Sequence, residues 1–234
     1  MDTQTRHALK KDKFAQATAS SVSWVSGHRS SVLRGGIVAI VVLAVLAGAL
    51  TYWSMQTTTA ETALGAALDI YSAPLAQPGA PAEADTYATA ADRAKAANQK
   101  FTAIATQYGW LPVAAKAHYF AGVTELELGQ TATAETELKT AAGAWNRDVA
   151  NLATLALAGL YHQTSRDAQA IEAYNALIAK PSETVSANSA QLALADLYAS
   201  TGKQDQARAI WAKIKDADKD GSAGTIATEK LAAK

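Results

Sequence analysis

The stretch Val149–Ala179, VANLATLALAGLYHQTSRDAQAIEAYNALIA, decides the fold prediction. Its two halves are rich in alanine and leucine, and their apolar residues recur at three- and four-residue spacing, as in amphipathic helices. Polar residues around Ser165 separate the halves, and Pro181 follows the second one. Because polar clusters and proline end helices, we expect a hairpin of two helices, 149–164 and 167–179.

The same two-helix pattern occurs before and after this stretch. We expect first helices at 113–128, 149–164 and 185–200, each followed by a second helix, at 131–145, 167–179 and 204–216, with a period of 36–37 residues. A period close to this, with two helices per unit, is the signature of a tetratricopeptide solenoid. A further helix is predicted from about Ala84 to Tyr108 and reads as a degenerate earlier repeat.

The three repeats share the positions that such a solenoid uses to pack its helices. Each has a small residue in the first helix, an aromatic residue three positions later, a small residue at the turn, and an alanine with two large or apolar residues in the second helix. They are Gly122, Glu125, Gly129, Ala134, Leu138 and Ala141, then Ala158, Tyr161, Ser165, Ala170, Tyr174 and Leu177, then Ala195, Tyr198, Gly202, Ala207, Trp211 and Ile214. Small residues let paired helices approach closely, and only Glu125 breaks the pattern seriously.

The composition supports an all-α protein and argues against an enzyme. The chain has 234 residues, of which 56 are alanine, the best helix former. It has no cysteine and only four histidines, so thiolate chemistry is impossible and the composition is not that of an enzyme with a histidine-built site. Since no Ser/His/Asp arrangement or phosphate-binding glycine loop is found, we predict a non-enzymatic protein with no cofactor, no metal and no small-molecule substrate.

An uncharged apolar stretch near the N-terminus predicts a single transmembrane helix. Gly35–Trp53 reads GGIVAIVVLAVLAGALTYW, and no charged residue occurs from Gly35 to Ala60. About 20 such residues cross a bilayer, and Tyr52 and Trp53 stand where interfacial aromatic residues occur. Two alternatives remain at this point: a buried core helix, and a signal peptide cleaved at the small-x-small site Ala47-Gly48-Ala49.

Charges predict the orientation of this helix. Residues 1–34 carry six basic and two acidic residues, and the first basic residue after the apolar stretch is Arg93. The positive-inside rule then places the N-terminus in the cytoplasm and the repeats in the periplasm of a bacterium, with the helix in the inner membrane. The chain after Ala60 carries 15 basic and 19 acidic residues, so nucleic acid is not an expected partner.

The predicted organisation has five parts. Residues 1–34 form a cytoplasmic basic segment, in which Lys10–Ser26 is either a short amphipathic helix on the membrane or a loosely ordered tail. Residues 35–55 form the transmembrane helix, and 56–83 a helix at 60–72, capped by Thr57–Thr59 or continuous with the anchor, and a Pro/Gly linker. An α-solenoid of three to four tetratricopeptide-like hairpins occupies 84–222, and 223–234 is a C-terminal capping helix.

Two longer segments resemble a known family. FTAIATQYGWLPVAAKAHYFAGVTELELG (Phe101–Gly129) and LKKDKFAQATASSVSWVSGHR (Leu9–Arg29) are similar to the repeat opening and the pre-anchor segment of the bacterial ancillary Sec-translocon subunit family. The repeat domain of that family is grouped with that of the periplasmic cell-division coordinator. The resemblance implies a membrane-tethered interaction module near the translocon or among periplasmic chaperones.

Three other groups of residues invite a chemical interpretation. Asp216, Asp218, Asp220 and Gly221 match the opening of a calcium loop, but Ala227 stands where the bidentate glutamate is needed, which favours an acidic turn. Glu125, Glu127, Glu135 and Glu137 cluster around a turn and predict a solvated charged surface. His118 and His162 read as packing or surface residues, and Trp110 and Trp145 fall at helix ends, where solenoid turns pack.

The first helices of such solenoids line a concave face, which predicts where a partner binds. The lining residues are Lys116, Tyr119, Val123 and Leu126, then Leu152, Leu155, Gly159 and His162, then Ser189, Leu192, Asp196 and Ala199. This surface is apolar with single polar groups, which suits an amphipathic helix or an unfolded apolar segment.

The expected partners are the lipid bilayer and proteins or peptides, including translocon subunits or exported chains. One alternative function is a scaffold for envelope assembly or cell division that binds wall or outer-membrane machinery. An alternative for the groove is that the helix at 60–72 or the C-terminal helix covers it.

Overall fold

The computed structural model describes residues 29–76 and 86–233. Within these ranges the regular secondary structure is helical apart from one isolated bridge between Leu75 and Tyr87, and short turns join the helices. This confirms the all-α prediction. The helices are α1 (Arg29–Ser72), α2 (Ala90–Gln107), α3 (Val113–Glu127), α4 (Thr131–Ala142), α5 (Arg147–Gln163), α6 (Asp167–Ala179), α7 (Ala187–Ser200), α8 (Gln204–Ala217) and α9 (Ser222–Ala232). The basic segment predicted to form a helix at 10–26 and the prolines at 78 and 81 lie outside the described residues.

The chain divides into two units, Met1–Gln56 and Thr57–Lys234. In the first, every apolar side chain described from Ile37 to Leu50 is exposed, with Leu50 at 69%. Helix α1 is the one described helix that is long and apolar enough to span a bilayer, with a mean hydropathy of 2.4 in its most apolar window and none of that window buried. A side-chain surface that is apolar on all faces and not covered by protein fits a single membrane pass.

Helix α1 shows where local sequence signals fail. The three consecutive threonines Thr57–Thr59 do not cap a new helix, because α1 runs through them without a break to Ser72. Thr62 instead donates from its hydroxyl to the carbonyl oxygen of Thr58, at 2.9 Å, as a threonine inside a helix does. Of the two predictions for this segment, the continuous helix is the one observed.

Side-chain caps explain where several of the later helices begin. Thr89 accepts a hydrogen bond from the backbone N–H of Asp92, Asn146 from those of Asp148 and Val149, and Ser186 from that of Ser189. Each cap satisfies a backbone donor that the first helical turn leaves free. Helix α2 therefore begins at Ala90, six residues later than the sequence predicted. Each helix of the three predicted repeats begins and ends within three residues of its predicted bounds.

The second unit is a series of hairpins, α3–α4, α5–α6 and α7–α8, which we call the first, second and third hairpins. Their crossing points are built from the small residues that the sequence pattern singled out: Ala134, Ala170 and Ala207 are fully buried. At Gly122 a Cβ atom would lie 2.6 Å from Cγ of Leu138, so only glycine allows this close approach of α3 to α4. The helices thus pack through alanine and glycine, as expected.

The turn within each hairpin has the same backbone. The second residue after the first helix has a positive φ, +74° at Gly129, 60° at Ser165 and +77° at Gly202. The next residue then donates from its backbone N–H to the carbonyl oxygen five positions earlier, for example from Arg166 to Tyr161 at 2.7 Å. The turn geometry, and not only the helix pattern, therefore repeats along the chain.

Candidate binding groove

The first helices of the second unit run parallel to one another. The first such pair is residues 57–72 of α1 and helix α3. At one end of this pair, Lys116 Nζ lies 3.0 Å from a carboxylate oxygen of Glu61. At the other end, the hydroxyl of Tyr71 donates to the carboxylate of Glu127. Because the early residues of both helices meet, and the late residues of both also meet, the two helices share one direction.

The same relation holds for α5 and α7. Near their N-terminal ends, the carboxylate of Asp148 accepts a hydrogen bond from the backbone N–H of Thr184, which lies just before α7, at 3.3 Å. At their C-terminal ends, His162 Nε2 is 3.2 Å from the hydroxyl oxygen of Ser200. Tyr119 of α3 and Leu152 of α5 line one hollow, so the two pairs adjoin. The four first helices therefore form one row, and the predicted groove is the face that this row presents.

The structure places the predicted groove residues on this row at its partly exposed positions. None of the twelve is buried. Ser189 and Asp196 are exposed, and the others are half-buried: Lys116, Tyr119, Val123 and Leu126 on α3, Leu152, Leu155, Gly159 and His162 on α5, and Leu192 and Ala199 on α7. Several of the apolar ones rest on the hydrophobic core from outside, among them Tyr119, Leu126 and Leu155.

A hollow of about 280 Å³ lies between α3 and α5. Three predicted groove residues, Lys116, Tyr119 and Leu152, line it, together with Phe120, Asn146, Asp148, Val149 and Thr184. Burial raises the pKa of the Tyr119 phenol, so this residue offers a neutral hydroxyl at the wall of an apolar recess. A recess of this kind accepts an apolar side chain and one polar partner.

Most of the polar groups predicted along the groove are already engaged within the chain. Lys116 pairs with Glu61, and Asp196 lies 2.7 Å from the ammonium nitrogen of Lys230 on α9. Nδ1 of His162 is 2.7 Å from the carboxylate of Asp167. These charges thus hold neighbouring helices and side chains together, and the half-buried side chains between them are mostly apolar.

The two elements that we considered as covers reach the groove only at its ends. Residues 60–67 of α1 pack on α2 and α3 through Ala60, Leu64 and Ala67, and α9 packs near Trp211 on α8. Tyr119 and Leu155, which lie between these two elements along the row, are half-buried and so remain partly exposed. The helix at 60–72 is therefore the first member of the row, and its neighbour α2 pairs with it as a second helix.

Glu125 is a residue whose exposure the sequence predicted wrongly. It was expected on a solvated acidic surface, but it is only 7% exposed. Within the described part of the chain, its Oε2 atom has no hydrogen-bond partner. Burial, and then the nearby carboxylate of Glu137, raise the pKa of Glu125, while hydrogen bonds from Asn98 and Thr133 oppose the rise. No sequence signal other than its place in the repeat, where the other hairpins have tyrosine, points to this burial.

The acidic turn before α9 has a structural role. The Asp218 carboxylate accepts a hydrogen bond from the backbone N–H of Gly224 at 3.2 Å, so it caps the first turn of α9. Gly221 and Gly224 both lie so close to Asp218 that a Cβ atom would clash with it. Across residues 29–76 and 86–233, no group of three His, Cys, Asp or Glu side chains is arranged to hold a metal ion.

Two tryptophans at turns are exposed, contrary to the packing expected for them. Trp145, between α4 and α5, is 82% exposed, and Trp110, between α2 and α3, is 50% exposed. Trp211, expected between hairpins, is buried at 5% exposure. The geometry therefore gives two candidate contact surfaces, the groove and the edge that carries these two indoles. No protein family, curated protein or solved structure matches the chain.

Proposed function

We propose that this chain is a non-enzymatic, membrane-anchored protein whose second unit is a tetratricopeptide-like solenoid that binds proteins or peptides. The observation that carries the proposal is the half-exposed apolar face of the row of first helices, together with the hollow between α3 and α5. An isolated enzyme site would need converging polar groups, whereas this face offers apolar side chains at helical spacing.

The chemistry of this face limits the kind of ligand. Lys116 and Asp196 are neutralised by Glu61 and Lys230, so the groove offers no array of cations that would clamp a carboxylate terminus. Apolar contact with Tyr119, Leu152 and Leu155 favours an amphipathic helix or an unfolded apolar segment as the ligand. Exported chains that have not yet folded present such segments.

The proposed location is the bacterial inner membrane, with the N-terminus in the cytoplasm and the hairpins in the periplasm. The exposed apolar helix α1 and the basic residues that precede the apolar stretch support it. Protease added to spheroplasts is then expected to digest the chain after residue 54 and to spare residues 1–34. A hairpin unit that resists protease until the membrane is dissolved would contradict this orientation.

A crosslinking experiment in native membranes tests the binding face. We would place a photo-crosslinking amino acid at Leu155 in the groove and, as a matched control, at Glu172, which is exposed on α6. The proposal expects adducts with translocon subunits and exported chains from position 155 and not from position 172. Adducts from 155 with wall synthases or outer-membrane assembly factors would instead favour the scaffold function. Equal adducts from both positions would contradict binding in the groove.

A triple variant separates an open groove from a structural one. Replacing Tyr119, Leu155 and Leu192 by serine is expected to leave helix content and cooperative unfolding intact and to abolish the adducts from a crosslinker at Leu152. The control is Glu172→Ser, which leaves the groove unchanged. Retained folding with undiminished adducts would place the binding surface elsewhere on the chain.

A further inference from the structure

One edge of the hairpin unit gathers all the points at which a first helix begins. Since residues 57–72 of α1, α3, α5 and α7 run parallel, their N-terminal ends lie side by side. This edge, which we call the entry edge, contains Thr57, where the chain enters the unit, and the turns 108–112, 143–146 and 180–186. The opposite edge contains the turns within the hairpins, such as Gly129-Gln130.

Both exposed indoles of the hairpin unit lie on the entry edge. Trp110 is in the turn before α3, and Trp145 is in the turn before α5. An indole that is 82% exposed, as in Trp145, leaves a large apolar surface in water. The indole ring with its single N–H donor is the side chain best suited to the boundary between lipid tails and water, where it is enriched in membrane proteins.

The length of the chain lets the entry edge reach the bilayer. Trp53 stands at the end of the apolar stretch, and Thr57 is four residues after it. The Cα atoms of these two residues are therefore within about 14 Å of each other in any conformation of the chain between them. Neighbouring helices pack about 8–10 Å apart, which places the start of α5 about 20 Å along the edge from Thr57. By chain length alone, both turns with exposed tryptophan are thus within reach of the bilayer surface.

We propose that the entry edge is a lipid-contacting surface that docks on the phospholipid interface through Trp110 and Trp145. The exposed charges on this edge have both signs, Arg147 and Lys180 against Glu183, so the docking is aromatic and does not depend on anionic lipid. It rests on the membrane anchoring of the proposed function. The hollow lined by Lys116, Asn146 and Thr184 lies at the same edge, so docking holds the mouth of the groove at the membrane surface.

The absence of cysteine allows a test with one spin label on the full chain in phosphatidylcholine vesicles. Gly143 has a negative φ, and a Cβ atom there meets its nearest neighbour at an ordinary 3.5 Å, so Gly143→Cys places a nitroxide beside Trp145 without strain. Gln130→Cys provides the matched label on the opposite edge, where Gln130 is exposed. The measurement is the ratio of collisions with oxygen, which concentrates in lipid, to collisions with a water-soluble nickel chelate.

The proposal expects a higher ratio at position 143 than at position 130, and a loss of the difference when Trp145→Ser is added to Gly143→Cys. Trp145 is not part of the core, so this substitution leaves the helix content unchanged. Equal ratios at 143 and 130, in a chain that floats with the vesicles and resists carbonate extraction, would overturn the docking and leave the anchored function standing. A chain that does not float with the vesicles would overturn both.

Discussion

The first and second hairpins share the backbone of their turn and bury very different side chains just before it. In both hairpins, the residue four positions before the positive-φ residue of the turn is buried. It is Glu125 in the first hairpin and Tyr161 in the second. Tyr161 is 8% exposed, and the guanidinium carbon of Arg166 lies 4.6 Å from the centre of its ring. Glu125 is equally buried, with one carboxylate oxygen that no described group hydrogen-bonds.

The difference teaches which residues set the repeated geometry. The third hairpin follows the second, with Tyr198 and the ammonium nitrogen of Lys203 5.6 Å from its ring centre. Since the first hairpin keeps the same turn with a carboxylate in place of the aromatic ring, the ring is not what fixes the backbone. Close helix crossing at small residues such as Gly122 does so, and the side chain at 125 or 161 adjusts to the space that remains.

The largest expected effect comes from giving the second hairpin the residue of the first. Tyr161→Glu removes a buried ring together with its contact with Arg166, and it puts a carboxylate at a position that is 8% exposed. We expect the free energy of unfolding to fall by about 3–5 kcal/mol. Urea unfolding of the full chain in detergent, followed by circular dichroism, measures this. If the loss is below that of Tyr198→Phe, the second hairpin tolerates the carboxylate as the first does.

Overpacking at the crossing points tests whether the three hairpins are equivalent. Ala134→Leu, Ala170→Leu and Ala207→Leu each force a larger side chain into a fully buried contact, at a cost of about 1–3 kcal/mol. Thermal unfolding of the full chain measures each variant, and exposed Ala132→Leu on α4 is the control. Three unchanged melting temperatures would show that these alanines are not at the crossings.

Much of the fold could be predicted from the sequence because the signals are local. Alanine-rich stretches, polar breaks and prolines indicate helices and their order, and the spacing of small residues identifies Ala134, Ala170 and Ala207 as buried. The run of threonines at Thr57–Thr59 misled the local prediction of a cap. Packing of Leu64 and Ala67 on α2 and α3 outweighs the low helix propensity of the three threonines. That packing joins residues far apart in the sequence, so the residues around the threonines do not indicate it.

The site was less predictable because its properties depend on distant partners. The groove residues follow from helical spacing, but the pairing of Lys116 with Glu61 joins residues 55 positions apart. The burial of Glu125 likewise depends on α2, whose Asn98 donates hydrogen bonds from its amide to Thr124 Oγ1 and to the carbonyl oxygen of Ala121. A glutamate is exposed by default, so a sequence pattern alone favours the surface.

A neutral substitute for Glu125 sharpens the comparison through its pH dependence. The pKa of Glu125 is raised in the folded chain, so its favourable contribution is present below the ordinary glutamate pKa and is lost as pH rises through the folded pKa. Glu125→Gln should therefore stabilise the chain by about 1–2 kcal/mol at pH 8 and have little effect at pH 4. Unfolding free energies at the two pH values measure this. Glu172→Gln, at an exposed position on α6, is the control, and a gain that is equal at both pH values would contradict the raised pKa.

The ion-pair cluster between the first two hairpins has the opposite pH dependence. Hydrogen bonds from Arg166 and then Lys139 lower the pKa of Glu135 from 4.5 to about 2. Its contribution is therefore present above pH 4.5 and is lost as pH falls from there towards 2. Glu135→Gln should cost about 1 kcal/mol at pH 7 and nothing near pH 2. Titration of the Glu135 carboxyl by NMR in the full chain provides the direct check, and a midpoint at 4.5 would show that the cluster does not form.

The smallest expected effect concerns the turn that all three hairpins share. Ser165 has a φ of 60°, a left-handed conformation that the first and third hairpins give to Gly129 and Gly202. A side chain in this region is strained, while glycine adopts it freely but loses more conformational entropy on folding. The strain relieved at Ser165 exceeds that entropy, so Ser165→Gly should raise the free energy of unfolding by about 0.5 kcal/mol. The reverse changes, Gly129→Ser and Gly202→Ser, should each lower it by a similar amount. If Ser165→Gly destabilises the chain while both reverse changes also do, the second hairpin holds its turn by side-chain contacts that the other two lack.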